Sequence, residues 1–466
     1  MINRQIEAEL SSFYASNRRE ALLIDGARQV GKTFSIREFG RRHFKSVVEI
    51  NFIKDTKAKA IFKDVSDEAD ILMRLSALPG ARLIPRETLV FFDEIQECPE
   101  VVTYIKFLVD EGSYRYVLSG SLLGVELKDV RSVPVGYLRE IRMYPISFSE
   151  FVRAMGLSNE IMEHLRRCWL EERAVDPVVH ERMNTLLRLY LVVGGMPAAV
   201  QTYLDTKNIA EVVKVQQGIL VEYRKDASKY AKGSKLHILR VLELLPEELN
   251  KKNKRFHVAD VKAGSRLARL EDNFIWLQES GIALSCPAVT DARLPLRLTQ
   301  NSNFFKLFMN DVGLLSTMYM DGIQFKILSG ETSINNGSVY ENFLAQELSF
   351  HGFPLHYYNG EDVGEVDFII EKDSKVLPLE VKSGRHYKTH AALNGLLKKN
   401  DADIRRAIVF SNANASRYGK ISYFPLYLAM FLDHDGLPSN AVYELPSLDI
   451  HPRMSPVETK MMATPD

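Results

Sequence analysis

The sequence predicts an α/β chain: a parallel sheet covered by helices, then a helical segment, then a helix-rich unit closed by a hairpin, then a second α/β unit. Three observations predict it. Short apolar runs alternate with helical patterns from residue 21 to about residue 145, and such alternation builds a parallel sheet between helix layers. The first run leads straight into a glycine-rich loop. Strand patterns vanish over residues 147–232 and return after residue 280 without a second loop of that kind.

Residues 1–20 read as an amphipathic helix leading into the first strand. Apolar runs at 21–24, 47–52, 89–92, 116–118 and 138–143 are the expected strands of the first sheet. After the first comes Gly26-Ala27-Arg28-Gln29-Val30-Gly31-Lys32-Thr33, a complete G-x-x-x-x-G-K-[ST] phosphate loop. Gly26 and Gly31 permit the tight turn that points successive N–H groups at phosphate oxygens. Lys32 is the expected contact to the β/γ-phosphates of ATP, and Thr33 the expected ligand of Mg²⁺. The third run, 89–92, ends in Asp93-Glu94. Two acids at the end of a buried strand are costly without a cation, so Asp93 is expected at the Mg²⁺ and Glu94 at the attacking water. The fourth run ends in Ser119-Gly120-Ser121, and either hydroxyl is placed to sense a γ-phosphate.

Residues 147–232 carry helical periodicity, including the 186–193 run broken by Gly194-Gly195-Met196-Pro197, and read as a helical lid. Next come helices at 235–249, 257–262 and 265–280, then strands at 282–286 and 294–298. Three helices and a hairpin make a winged helix. Lys251, Lys252, Lys254, Arg255, Lys262, Arg266 and Arg269 make this stretch basic, suited either to phosphates or to a solvated or protein-docking face. Beyond it lie a helix at 337–350, a strand at 355–358, a hairpin of 366–371 with 376–382 around Lys372-Asp373-Ser374, then a helix at 393–397 and a strand at 407–410. The segment 452–466, rich in Pro, Met and Thr, is expected to fray.

Strand alternation puts Glu380 and Lys382 on one face, and the hairpin brings Asp367 beside them. Two carboxylates and an ammonium can hold Mg²⁺ and position a water at a phosphate. Glu341, on the preceding helix, is a further candidate ligand. His386 and His390 are four apart without a third ligand, and are expected to be surface or core residues. The chain's 60 basic and 60 acidic residues cancel, which argues against indiscriminate coating of nucleic acid. Cys98, Cys168 and Cys286 are isolated, so neither a disulfide framework nor a zinc ribbon is expected, and a reducing cytoplasm fits. The apolar run 425–432 is too short to span a bilayer, and no membrane partner is expected.

The phosphate loop, Phe92-Asp93-Glu94, Ser-Gly-Ser-Leu-Leu-Gly at 119–124 and Tyr-Pro-Ile-Ser-Phe-Ser-Glu-Phe at 144–151 together resemble the AAA-type prokaryotic ATPases with a C-terminal DUF4143 domain. The resemblance continues through Gly194–Pro197, the Lys306–Leu315 stretch, and Gly364-Glu365-Val366-Asp367-Phe368-Ile369 with Glu380-Val381-Lys382-Ser383-Gly384. It implies an AAA+ core, a winged helix and a restriction-endonuclease-like C-terminal fold. Asp367, Glu380 and Lys382 fall on the D…(E/D)-x-K pattern of that fold, with Val366 where the pattern has proline. The family often has a basic residue where this chain has Tyr137 after Gly136; Arg131 and Arg139 are weaker substitutes, and no arginine finger is assigned.

The expected organisation is an AAA+ core over 1–146, a helical lid over 147–233, a winged helix over 234–320, the endonuclease-like domain over 321–451 and a tail over 452–466. Two functions compete. In one, ATP hydrolysis with Mg²⁺ drives an endonuclease-like module on DNA or RNA. In the other, ATP switches a scaffold whose C-terminal fold binds a partner, another protein or a second copy, without cutting.

Overall fold

A wholly apolar five-residue run needs cover on both faces, and β1 (Ala21–Asp25) is buried along its length. The computed structural model describes residues 2–434 except 17, 122–135, 231–234, 252, 262–269, 321, 332–336, 385 and 400–403. The other strands of the first sheet are β2 (Ser46–Asn51), β3 (Thr88–Asp93), β4 (Arg115–Ser119) and β5 (Leu138–Arg142), all parallel, in the order β2-β3-β4-β1-β5. All five expected strands are present. Leu22, Ile24, Phe91 and Val117 face α1 (Ile6–Ala15) and α2 (Lys32–His43). Leu23, Val90, Phe92 and Leu118 face α3 (Glu68–Ser76) and α4 (Glu100–Glu111). Each of these large side chains contributes about 1.5–3 kcal/mol by leaving water. Because β4 lies between β1 and β3, the loop after β1 and the acids after β3 flank the end of β4.

The helical segment comprises α5 (Phe148–Ala154), α6 (Asn159–Leu170), α7 (Pro177–Val193), α8 (Pro197–Thr206) and α9 (Ile209–Tyr230). Ser147 and Glu150 form a capping box at α5, and Asp176 caps α7 ahead of its first-turn proline. At the end of α7, Gly194 has φ +68°, and a Cβ there would sit 2.2 Å from Asp311 Oδ1. Asp311 accepts hydrogen bonds from Gly195 N at 2.5 Å and Leu314 N at 2.9 Å. Two motifs that carry the family resemblance thus serve one structural joint.

After it come α10 (Lys235–Asn250), α11 (Val258–Val261), α12 (Glu271–Glu279), β6 (Ala283–Val289) and β7 (Gln300–Met309). The expected strand at 294–298 is instead a turn and a short 3-10 helix, Leu296–Thr299, with the strand beginning at Gln300. Pro295 has no N–H for a ladder, and Leu296 N donates to Glu371 Oε1 at 2.6 Å instead. The start of the helix expected at 265–280 lies outside the described residues.

The remaining helices are α13 (Val312–Met318), α14 (Ile323–Ser329), α15 (Gly337–Phe350) and α16 (Ala391–Lys399). The strands are β8 (Tyr357–Gly360), β9 (Gly364–Val366), β10 (Phe368–Lys372), β11 (Lys375–Val381), β12 (Ala407–Ser411), β13 (Ser416–Tyr418) and β14 (Ile421–Pro425). One mixed sheet has the order β10-β11-β12-β14-β13, and its β10–β11 hairpin turns where the sequence placed it. The other has the order β7-β6-β8-β9. Since β6 pairs with β8, hydrogen bonding runs straight across the expected boundary at 320/321.

α15 is buried on nearly every face, including Glu347, whose Oε1 accepts from Phe148 N at 2.9 Å. Burial pushes the Glu347 carboxyl up to about 7. The folded chain therefore holds a proton that the unfolded chain releases from about pH 4.5 upward, so this group's contribution to stability falls as pH rises to about 7. Glu347→Gln should then gain stability relative to the unmodified chain at pH 8, by at most about 3 kcal/mol, and gain little at pH 5. Urea unfolding at the two pH values measures this; equal differences would refute it.

Candidate functional site at the ends of three parallel strands

The phosphate loop folds as its glycines demand. Gly26 has φ +145° and a Cβ there would lie 2.2 Å from Met143 O; Gly31 has φ +99°, and Gln29 is left-handed at +65°. Lys32 is buried, and its Nζ donates to Gly26 O at 2.6 Å, Ala27 O at 2.8 Å and Ser121 Oγ at 3.2 Å. Burial lowers its pKa to about 8, against the pull of Glu94, Asp25 and Asp93.

Asp93 ends β3 within reach of everything expected around it. Thr33 Oγ1 donates to its two oxygens at 3.2 and 3.1 Å, and Asn51 Nδ2 donates to Oδ2 at 2.8 Å. Ser119 Oγ also donates to Asp93, while Ser121 bonds Lys32. The two serines thus divide the work: Ser119 orients the acid and Ser121 meets the lysine. A hydroxyl and a carboxylate side by side on oxygen-only donors suit Mg²⁺. Glu94 sits at φ +60°, uncommon for a residue with a Cβ, and its Oε2 accepts from Gln96 Nε2 at 2.6 Å. Gln96 Oε1 in turn accepts from Ser121 N at 3.3 Å.

Sequence reasoning missed Gln96, Arg4 and Asp226. Arg4 donates to Val30 O at 3.0 Å and Tyr144 O at 2.7 Å and pairs with Glu150 at 3.3 Å, so the first helix braces the loop. Arg28 pairs with Asp226 of α9 at 2.9 Å, and Lys229 of α9 pairs with Glu97 at 3.1 Å. A Cβ on Gly281 would lie 2.9 Å from Ala27 N, so the turn after α12 rests on the loop. Arg4 and Asp226 had no local signal; each depends on a segment far away in sequence. Gln96 alone, two residues after an expected catalytic acid, was findable.

The second constellation also assembles. Asp367 immediately precedes β10, where Phe368 pairs with Leu379, so it stands opposite Glu380; its Oδ2 accepts from Val381 N at 2.8 Å. Lys382 Nζ donates to Glu380 Oε1 at 2.7 Å, and Glu380 Oε2 is buried with no hydrogen-bond partner. Burial, then the charge of Asp367, raise the Glu380 pKa to about 7. That orphaned oxygen fits a cation. Glu341, the further candidate ligand, also keeps a buried oxygen, Oε2, without a hydrogen-bond partner. It is buried between Lys254, which it pairs through Oε1, and Lys306 Nζ, 3.8 Å from Oε2. Lys306, fully buried on β7, also pairs with Glu365 at 2.7 Å and lies 4.9 Å from the centre of the Tyr357 ring. Two ammonium groups already meet its charge.

The described residues of the basic stretch are likewise engaged internally. Lys251 joins Glu248 and Asp260, Lys254 joins Glu341, and Arg255 stacks on Phe304 at 3.6 Å. Lys252, Lys262, Arg266, Arg269 and Arg131 lie outside the described residues. Glu248, His257 and Asp260 lie close enough to hold a metal, but Lys251 is the cation among them. Arg139 pairs with Glu9 and Glu20, each at 3.3 Å. His390 is a core residue on Tyr423 and His386 is exposed, as expected. The three cysteines are buried and free. No helix among the described residues is long and apolar enough to cross a membrane.

Residues 18–152 match the family described as AAA domain. Residues 184–325 and 336–428 match two domains of unknown function, DUF8612 and DUF4143. No curated protein matches. Among solved structures, the Walker-type ATPase of Pyrococcus abyssi is 14% identical with a TM-score of 0.42, covering 69% of this chain and 96% of its own. The Aeropyrum pernix Orc1 protein in complex with DNA is 15% identical with a TM-score of 0.26, covering 68% and 91%. The Drosophila ORC bound to DNA is 12% identical with a TM-score of 0.28, covering 66% and 92%. With its phosphate loop, paired acids and five parallel strands, this chain carries an AAA domain at residues 18–152 and a DUF4143 domain at 336–428, the combination its motifs resemble.

Proposed function

We propose that this chain binds and hydrolyses ATP with Mg²⁺, and that the cycle drives a winged helix and a restriction-endonuclease-like module on nucleic acid. The observation that carries the first half is the meeting of Lys32, Thr33, Asp93, Glu94 and Ser121 at the ends of three adjacent strands. The loop amides and the N-terminus of α2 bind the phosphates. Lys32, now on the carbonyls of Gly26 and Ala27, turns its ammonium to the β/γ-phosphates. Thr33 and Asp93 would hold Mg²⁺, which when bound would supply positive charge to the phosphates. Glu94, released from Gln96, takes the proton of the attacking water.

Coupling runs through α9. Its Asp226 and Lys229 grip Arg28 on the phosphate loop and Glu97 beyond the paired acids. Through Arg28, nucleotide on the loop bears on α9.

The second half rests on Asp367, Glu380 and Lys382 sharing one face, with a buried carboxylate oxygen left for a cation. The competing reading, a switch that binds without cutting, draws on Lys254 and Lys306, which neutralise Glu341 without a metal. One experiment separates them: Mn²⁺ calorimetry beside cleavage of DNA and RNA, with and without ATP, on the full chain and on Asp367→Asn. Cutting should need the metal and vanish in the variant, Mn²⁺ binding should weaken at least tenfold, and ATP hydrolysis should persist. Unchanged Mn²⁺ binding, or no cutting of any substrate, would favour the switch.

A further inference from the structure

We propose that a cavity at the far edge of the β10–β13 sheet binds the backbone of single-stranded nucleic acid. The choice of ligand rests on the nucleic-acid reading above; the cavity itself stands on its own features. It has a volume of about 660 Å³ and lies between α16 and the β13–β14 hairpin, lined by Lys388, His390, Lys398, Arg417, Tyr418 and Lys420, among others. No carboxylate occurs among its described lining residues. In a chain with equal numbers of acids and bases, that is a local concentration of one sign, and a concave wall focuses its field on an anion. The cavity beside α1, by contrast, mixes Arg4, Arg153 and Arg166 with Glu7, Glu150 and Asp433.

Two features select a nucleic-acid strand over a simple anion. Tyr418 is 81% exposed on the edge strand β13, a flat ring held in water beside four cations, which is the make-up of a base-stacking platform. His390 is buried at the cavity wall, and its Nε2 meets the Tyr423 hydroxyl at 2.9 Å. Lys388 and Lys398 are exposed and pair with no carboxylate among the described residues, while Arg417 is held at the rim by Glu172 at 3.1 Å. The place is apt as well. Only seven residues separate Lys382 from His390.

The test is fluorescence anisotropy of a labelled 20-nucleotide oligo-dT with the full chain in EDTA, without ATP. Four cations, of which Arg417 is shared with Glu172 and Lys420 donates to Ile404 O, predict log affinity falling with log salt at a slope no steeper than about −3, at about −0.7 per phosphate. Lys388→Glu with Lys398→Glu should weaken binding at least tenfold at low salt and halve the slope. Tyr418→Ala should weaken binding about fivefold or more with the slope unchanged. If the reversal disturbs folding, Lys388→Gln with Lys398→Gln keeps the test, again with half the slope. Affinity equal to that of the unmodified chain in either double variant would overturn the proposal, as would displacement of the strand by polyglutamate at equal charge, which would mark an acidic-peptide site. Because no metal is present, absence of cutting leaves this result standing, while cutting with unaltered affinity in the double variant overturns the cavity alone.

Discussion

Glu94→Gln should bind ATP as tightly as the unmodified chain and turn it over about 10²–10⁴-fold more slowly, the usual share of a positioned base. Glutamine keeps the shape and can still meet Gln96, but it cannot accept the proton of the attacking water. Lys32→Ala should differ in kind. It removes the cation that now holds Gly26 O, Ala27 O and Ser121, so nucleotide affinity itself should drop. Steady-state phosphate release beside equilibrium binding of a fluorescent ATP analogue separates the two effects. Equal turnover in Glu94→Gln and the unmodified chain would remove Glu94 from its role. A loss of affinity as large as that of Lys32→Ala would assign it to binding instead.

The second large effect is expected at Lys306, which no motif marked as important beyond its place at the start of the Lys306–Leu315 stretch. Its ammonium is wholly buried between Glu341 and Glu365. Lys306→Met fills much the same space but leaves Glu365 without its cation and Glu341 with Lys254 alone. Breaking a buried pair in this way costs about 3–5 kcal/mol. The loss should shrink toward pH 4, where Glu341, its pKa already raised chiefly by burial and then by Asp367, takes up a proton. Denaturant unfolding at pH 8 and pH 4 reads both the size and the sign. Lys306→Met with Glu341→Gln should recover part of the loss, since it removes one stranded charge. A loss below about 1 kcal/mol at pH 8 would mean that the carboxylates are met by other groups.

The elements that carry the strongest local signals were legible in the chain itself. Phosphate loops can be read because each residue acts through its own backbone or side chain on one ligand, so spacing along the chain is spacing in space. The five strands of the first sheet were legible because burial on both faces leaves no room for polar residues, and the β10–β11 hairpin because its two apolar runs flank a short polar turn. The 294–298 segment misled because its apolar residues matched a strand, while Pro295 cannot donate to a ladder.

By itself, then, the sequence determined the phosphate loop with its paired acids, the alternation that makes a parallel sheet, and the shared face of Glu380 and Lys382. Tertiary structure alone decided which charges meet. It sent Lys254 and Lys306 to Glu341, Asp226 to Arg28, and Ser119 and Ser121 to different partners. The reason is physical. Period and propensity act over a few residues, whereas a buried charge is satisfied by whatever opposite charge the packing brings within about 4 Å, however distant in the chain.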